Sequence, residues 1–260
     1  AHGSLGEPIR KEPDEPRFEV NILGRFSVKA NSKRIDPARF GRKKCRALLG
    51  MLLLNPSGMS SDKLAHDLWP SSPEKTAKRN LYSLWSILRS ALQQGQKEMS
   101  PLIRENGMCR IDRGRISCDV YRVWDISRQL MDPSIDAASA SHMLDLLCKL
   151  YVGEILPGLT EVDELNSERD ALKQRISRVL ISASLRFASA DYVSLALSCA
   201  QFALDVDSTK EDAYETVMAL QVMCGQRPQA TRTWNVYNEY IDNALGLDPS
   251  TLSQEVHRCM

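Results

Sequence analysis

The sequence predicts a mainly α-helical protein with a small β-sheet and a β-hairpin confined to its first half. Three observations support this fold class: residues 41–92 contain three consecutive amphipathic helical patterns, residues 102–116 alternate around an Asn-Gly turn, and nearly everything after residue 119 has helical periodicity. The chain of 260 residues is long enough for two domains with separate cores.

The first 17 residues differ in composition from the rest of the chain. The Ala-His-Gly-Ser start lacks an initiator Met and is typical of an expression tag, and the segment GEPIRKEPDEP is charged and rich in proline like a linker. We therefore expect residues 1–17 to be tag and linker. Residues 18–35 alternate around Asn31-Ser32, which predicts a small antiparallel sheet.

Three helices are expected after this sheet. The first is predicted over residues 42–54, where apolar residues form one broad face, and the turn sequence NPSG ends it. The second is predicted over residues 62–68 with a serine N-cap at position 60 or 61. The third runs over about residues 73–92, with Pro73 in its first turn. This succession is typical of a helix-turn-helix core.

The third helix has two chemically different faces. Apolar residues recur at helical spacing and are predicted to turn inward: Leu81, Leu84, Trp85, Leu88 and Leu92. The other side is basic and rich in hydroxyl groups: Lys75, Lys78, Arg79, Tyr82, Ser83, Ser86 and Arg89. Such a face suits a DNA major groove, although an amphipathic surface helix with solvated charges has the same pattern.

Residues 102–116 predict a β-hairpin. Asn106-Gly107 is a strong signal for a two-residue turn, and the flanking residues alternate. Four arginines make the segment basic: Arg104, Arg110, Arg113 and Arg115. A hairpin after a recognition helix is a wing, which often contacts phosphates or the minor groove, so residues 18–117 are predicted to form a winged helix-turn-helix domain. A simple sheet hairpin with solvated arginines is the alternative.

The two halves of the chain carry opposite charge. Residues 17–116 contain 20 Lys and Arg against 8 Asp and Glu, a net of +12, whereas residues 117–260 contain 12 against 21, a net of −9. A basic part joined to an acidic part indicates a polyanion-binding module tethered to a protein-binding one. Chance segregation of solvated charge is the alternative.

The second half is predicted to be an all-α domain over residues 118–260. Helices are expected over residues 120–131, 136–151, 162–189, 192–204, 210–225 and 228–245, with a short last helix after Pro249. Ala196 and Ala200 align with Ala230 and Trp234 at a spacing of 34 residues, which suggests tetratricopeptide-like stacking of helix pairs. An irregular helical bundle is the alternative.

Several classes of protein find no support in the sequence. Seven scattered cysteines without a CxxC pair predict reduced, mainly buried thiols in a cytoplasmic protein. No apolar run approaches the ~18 residues of a membrane span. The chain has no GxxxxGK(S/T), GxSxG or HExxH motif, and its four histidines are isolated. We therefore expect no catalysis, no cofactor, no metal site and no membrane partner.

Three segments resemble the SARP family of transcriptional activators. The family's opening strands are similar to LGRFSVKANSKRI. Its helix-turn-helix core is similar to KCRALLGMLLLNPSGMSSDKLAHDLW followed by TAKRNLYSLWSILRSAL. Its closing segment is similar to LGLDPSTLSQEVHRCM. Members combine an OmpR-like winged helix with a bacterial transcriptional activation domain. Two positions depart from the pattern: Ile87 stands where the family often has Arg, and Met108 stands where an aromatic residue follows the wing glycine.

The resemblance implies a sequence-specific regulator of transcription that binds double-stranded DNA. It implies an activator that binds direct repeats near promoters as a homodimer, inserts its third helix into the major groove and contacts RNA polymerase. The residues expected to contact DNA are Lys43, Lys44, Arg46, Lys75, Thr76, Lys78, Arg79, Tyr82, Ser83, Ser86, Arg89, Arg104 and Arg110. The alternative is a helical-repeat scaffold for protein interactions with weak or lost DNA binding. The basic first half argues against this alternative, and the presence of Ile87 where the family often has Arg keeps it open.

Overall fold

The computed structural model describes residues 18–93, 100–245 and 249–258. The predicted tag and linker, residues 1–17, lie outside the described residues. The strands are β1 (Phe18–Asn21), β2 (Ser27–Ala30), β3 (Lys33–Arg34), β4 (Met59–Ser60), β5 (Leu102–Glu105), β6 (Met108–Ile111) and β7 (Ile116–Cys118). The helices are α1 (Lys43–Leu54), α2 (Ser61–Leu68), α3 (Glu74–Gln93), α4 (Asp119–Leu130), α5 (Ala137–Leu150), α6 (Asp163–Ser189), α7 (Val193–Val206), α8 (Glu211–Met223), α9 (Arg227–Tyr240) and α10 (Thr251–Arg258).

The described residues form two compact units. One unit extends to Tyr121 and includes Gly153–Asn166, and the other contains Arg122–Val152 and the residues from Ser167 onward. The strands lie in the first unit, and the second is helical, so the predicted fold class of a small sheet region followed by an all-α region is confirmed. The sequence-based domain boundary after residue 117 stays a prediction.

A four-stranded sheet opens the first unit, in the order β3-β2-β1-β7. The predicted turn between β2 and β3 is present, with φ of 46° at Asn31 and 63° at Ser32. β7 pairs with β1 in parallel, and Phe18 lies opposite Ile116. This parallel pairing was not predicted, because the two strands are far apart in the chain and β7 is only three residues long.

Asp119 joins the end of β1 to the start of α4. Its carboxylate accepts hydrogen bonds from the backbone N–H groups of Ile22, Leu23 and Val120, each at 2.9 Å. The residue is buried, and this burial raises the pKa of its carboxyl group despite the hydrogen bonds that favour the charged form. Asp119 therefore satisfies backbone donors that neither the sheet nor the helix satisfies.

The three predicted helices of the first unit are present. α1 is buried along most of its length, and Ser60 caps α2 by accepting a hydrogen bond from the Lys63 N–H at 3.1 Å. The apolar residues predicted to turn inward from α3 are all buried: Leu81, Leu84, Trp85, Leu88 and Leu92. α1, α2 and α3 pack on one another, so they share a single apolar core.

The predicted hairpin consists of β5 and β6. Asn106 and Gly107 both have positive φ, 50° and 78°, as a tight hairpin turn requires. β6 also pairs with β4, where Met59 lies opposite Cys109, and the resulting sheet has the order β4-β6-β5. The hairpin is thus attached to the segment that leads directly into α2.

The second unit is built from helices that follow one another closely. α7 packs on α8 and α8 packs on α9, as stacked helix pairs require. Tyr214, Met218, Tyr237 and Ile241 form a core cluster between α8 and α9. The single helix predicted over residues 228–245 is instead α9 followed by a π-helical turn, Ile241–Leu245.

Candidate nucleic-acid interface

Helix α3 presents its polar side to solvent. Six of the predicted DNA-contacting residues on it are exposed: Lys75, Arg79, Tyr82, Ser83, Ser86 and Arg89. Thr76 and Lys78 are half-buried. This arrangement follows from the 3.6-residue period of the helix, because the buried leucines and Trp85 occupy the opposite side. The structure therefore brings the predicted polar residues together on one accessible helical face.

Lys78 is held by two carboxylates of the protein. Its ammonium group lies 2.6 Å from Glu74 in the first turn of α3 and 2.9 Å from Asp62 on α2. Two hydrogen bonds raise the pKa of Lys78, and the one to Glu74 contributes more than the one to Asp62. The side chain therefore stays charged, and it connects the two helices. A phosphate that approached Lys78 would compete with both carboxylates.

Tyr82 connects α3 to the hairpin. The guanidinium carbon of Arg104 on β5 lies 4.1 Å from the centroid of the Tyr82 ring, which is cation–π geometry. Both side chains are exposed, so the contact lies at the surface. It places the Arg104 charge beside the polar face of α3, as a wing that accompanies a recognition helix would.

The hairpin turn is fixed to the start of α2. The backbone N–H and the hydroxyl group of Ser61 donate hydrogen bonds to the Gly107 carbonyl, at 2.8 and 2.9 Å. Gly58 has φ of 86°, and a Cβ there would lie 2.9 Å from the Cys109 carbonyl oxygen. Only glycine therefore permits this close approach of the two segments. Arg110, the second predicted wing residue, lies 3.5 Å from Glu105 within the hairpin.

The predicted basic residues at the start of α1 have different surroundings. Lys43 is exposed and lies 3.5 Å from Glu161, a weak pair between two solvated side chains. Lys44 is half-buried, donates to the Leu68 carbonyl and lies 4.9 Å from the Trp69 ring centroid. Arg46 is half-buried against Phe26, and among the described residues its buried Nε has no hydrogen-bond partner. Lys43 is therefore the most accessible of these three cations.

Two depressions lie along one edge of the α3 polar face. One has a volume of about 380 Å³ and is lined by Arg39, Ser86, Ile87, Ser90 and Ala91. The other has a volume of about 140 Å³ and is lined by Arg42, Lys44, Trp69, Asn80, Ser83, Leu84 and Ile87. Ile87 belongs to both. The depressions add two further cations, Arg39 and Arg42, to the edge of the face.

Four lining residues with charged, amide or hydroxyl side chains were absent from the sequence-based set: Arg39, Arg42, Asn80 and Ser90. Asn80 and Ser90 could have been identified from helical spacing, because each lies within four residues of Ser83 or Ser86 on α3. Arg39 and Arg42 belong to the segment before α1, and only the packing of that segment against α3 brings them here. Periodicity within one helix cannot reveal them.

Cys45 on α1 is buried in the core. Burial raises the pKa of the Cys45 thiol to about 11, so this cysteine packs in the core as a neutral group. Among the described residues, no group of three or more His, Cys, Asp or Glu side chains is arranged to hold a metal ion. No helix in the described ranges has the length and apolar character to cross a membrane.

Comparisons with known proteins identify the family. The sequence model of the family "Bacterial transcriptional activator domain" matches residues 127–259, slightly more than half of the chain. The solved structure of Mycobacterium tuberculosis EmbR in complex with a low-affinity phosphopeptide is similar in fold, with a TM-score of 0.70 and 18% sequence identity. The alignment covers 94% of this chain and 65% of the EmbR chain.

A search of curated protein sequences found no match. Because the EmbR chain is only 18% identical, its similarity supports the fold alone. The family match supplies the class of protein. Together they confirm the resemblance to the SARP regulators that the sequence carries. The chain belongs to the family defined by the bacterial transcriptional activator domain, as the SARP resemblance predicted.

Proposed function

We propose that this protein is a SARP-type transcriptional regulator that binds specific double-stranded DNA through α3 and the β5–β6 hairpin. The observation that carries the proposal is the exposed polar face of α3, with Arg104 of the hairpin stacked beside it on Tyr82. A helix of 20 residues, anchored by leucines on one side and bearing Arg, Lys and Ser on the other, suits the width of a major groove. Arg79 and Arg89 can pair with guanine, whereas Lys75, Thr76 and the serines suit phosphates.

The remaining predicted residues are assigned supporting roles. Lys43 and Lys44 at the start of α1 contact the phosphate backbone at one edge of the groove, and Arg46 supports them from its half-buried position. Arg104 and Arg110 of the hairpin contact the backbone or the minor groove at the other edge. The net charge of +12 over residues 17–116 supports this assignment, because release of counterions from DNA drives binding by such surfaces.

The helical second unit is proposed to serve activation. Most of the family match lies in this unit. Residues 117–260, which contain this unit together with Gly153–Asn166 and a few other residues of the first unit, carry a net charge of −9, which disfavours contact with DNA and favours a protein partner. We infer that the regulator binds direct repeats near promoters as a homodimer and contacts RNA polymerase through this unit. Its place of action is then the cytoplasm, where bacterial DNA and RNA polymerase are found.

The first test is DNA binding by the full chain. Fragmented genomic DNA is presented at low salt, bound fragments are recovered, and their affinity is measured at several salt concentrations. Arg79→Ala is expected to weaken binding and relax the preference among fragments, because Arg79 is assigned to a base. Lys75→Ala is expected to weaken binding to all fragments and reduce the slope of log K against log salt by about 1. Lys173→Ala, on α6 outside the proposed interface, is the control and should leave the slope unchanged.

The result separates the regulator from the scaffold alternative. Absence of DNA binding at low salt would contradict the proposal and favour a helical-repeat scaffold for protein interactions. Binding that is unaffected by Arg79→Ala would overturn the assignment of α3 as the recognition helix. A recovered fragment that raises transcription by purified RNA polymerase only when the regulator is present would support the activator role.

A further inference from the structure

Ile87 differs in chemistry from the rest of the polar face of α3. Its side chain is 39% exposed, and its neighbours on that side of the helix are Ser83, Ser86 and Ser90. Serine side chains are short, so the branched Ile87 side chain extends beyond them. The side chain therefore adds an exposed apolar group to a part of the face that otherwise carries hydroxyl groups.

Ile87 lies beside two cations that border the proposed interface. It lines both depressions along the edge of α3, one with Arg39 and the other with Arg42. These arginines are exposed and can contact the phosphates that border a groove. A base pair that faces α3 between such phosphate contacts would therefore meet Ile87 before it meets the surrounding serines.

Ile87 cannot donate or accept a hydrogen bond from its side chain. It can therefore distinguish bases only by apolar contact, and the apolar group that a major groove presents is the C5 methyl group of thymine. We propose that Ile87 recognises one thymine in each half-site through this methyl group. The inference rests on the proposed function, and it adds a specificity-determining residue and the base that this residue selects.

The test removes the methyl group from one thymine at a time. The full chain selects duplexes from a random pool, and each thymine of the tightest duplex is replaced singly by deoxyuridine, which lacks only the C5 methyl group. The affinity of each duplex is measured by fluorescence anisotropy. One position in each half-site is expected to weaken binding roughly fourfold, the effect of losing one buried methyl-sized group.

The decisive comparison uses Ile87→Ala. This variant is expected to bind the thymine and deoxyuridine duplexes equally at that position, and Ile87→Val is expected to fall between it and the parent. Val236→Ala is the matched control, because Val236 is also a β-branched residue exposed on a helix, α9, and it should keep the full methyl effect. Thermal unfolding verifies that each variant is folded.

Two results would overturn the inference while DNA binding stands. The first is a selected duplex in which no thymine is sensitive to loss of its methyl group. The second is a sensitive position whose fourfold effect persists in Ile87→Ala. If no duplex can be selected at all, the proposed function itself fails and the inference fails with it, so the two failures are distinguishable.

Discussion

The guanidinium carbon of Arg104 lies 4.1 Å from the centroid of the Tyr82 ring, and this contact joins the β5–β6 hairpin to α3. We expect Tyr82→Ala and Arg104→Ala to be non-additive in the free energy of unfolding, with a coupling of about 0.5–1 kcal/mol for an exposed cation–π pair. Tyr82→Phe keeps the ring and should retain the coupling. Chemical denaturation of the two single variants and the double variant measures it, and strict additivity would contradict the contact.

The pairing of Lys78 predicts that two acidic residues restrain DNA binding. Asp62 and Glu74 hold the Lys78 ammonium group at 2.9 and 2.6 Å. The double variant Asp62→Asn, Glu74→Gln removes two negative charges from the edge of the interface and frees Lys78 for a phosphate. Its affinity for a recovered DNA fragment is expected to rise roughly three- to tenfold at low salt, and its salt slope to steepen.

A matched control for this prediction lies in the second unit. Glu239→Gln removes a charge from an exposed position on α9 and should leave affinity and salt slope almost unchanged. If the Asp62, Glu74 double variant binds DNA as weakly as the parent at every salt concentration, Lys78 has only a structural role between α2 and α3.

Gly58 occupies a position where we expect alanine to destabilise the fold. Its φ is 86°, and an added Cβ would lie 2.9 Å from the Cys109 carbonyl oxygen, so the hairpin would have to move away from the start of α2. We expect Gly58→Ala to lower the free energy of unfolding by about 1–3 kcal/mol. Thermal unfolding measures the loss. Gly114→Ala is the control, since a Cβ there lies no closer than 3.4 Å to the Asp112 carboxylate, and equal losses in both variants would contradict the prediction.

The attachment of α10 to α8 is expected to depend on pH. Glu211 accepts hydrogen bonds from the Tyr237 hydroxyl and from the Ser250 N–H, the latter at 3.2 Å. The hydrogen bond from Tyr237 makes the largest contribution to lowering the pKa of Glu211 below its ordinary value of 4.5, and those from Ser250 and Ser253 make smaller ones. Because the folded pKa is lowered, this stabilisation is present above pH 4.5 and is lost as the pH falls through the folded pKa.

Glu211→Gln tests this pH dependence. The variant is expected to lose about 1–2 kcal/mol of the local stability of α10 at neutral pH, a typical contribution of hydrogen bonds to a charged acceptor. The local stability of α10 in this variant should also depend less on pH below 4.5 than it does in the parent. Hydrogen exchange of the α10 amides reports local opening and measures both effects. A parent protein whose α10 amides exchange with the same opening free energy at pH 3.5 and 6 would contradict it.

The sequence alone determined the elements whose signals are local. The apolar spacing from Leu81 to Leu92 predicted α3 and its buried side, because a helix repeats every 3.6 residues wherever it lies in the protein. Asn106-Gly107 predicted the hairpin turn, because few residue pairs accept two successive positive φ values. The polar face of α3 followed from the same periodicity.

Tertiary structure decided what depends on residues distant in the chain. The pairing of β4 with β6 and of β7 with β1, the Lys78–Asp62 contact and the approach of Arg39 and Arg42 to α3 have no local signal. Two- and three-residue strands are too short to show alternation, and a charged residue has the same sequence signature whether it is solvated or paired. Packing of α3 against α2 and against the segment before α1 brings Lys78 to Asp62 and Arg39 and Arg42 to the polar face, because burial of apolar area holds these segments together.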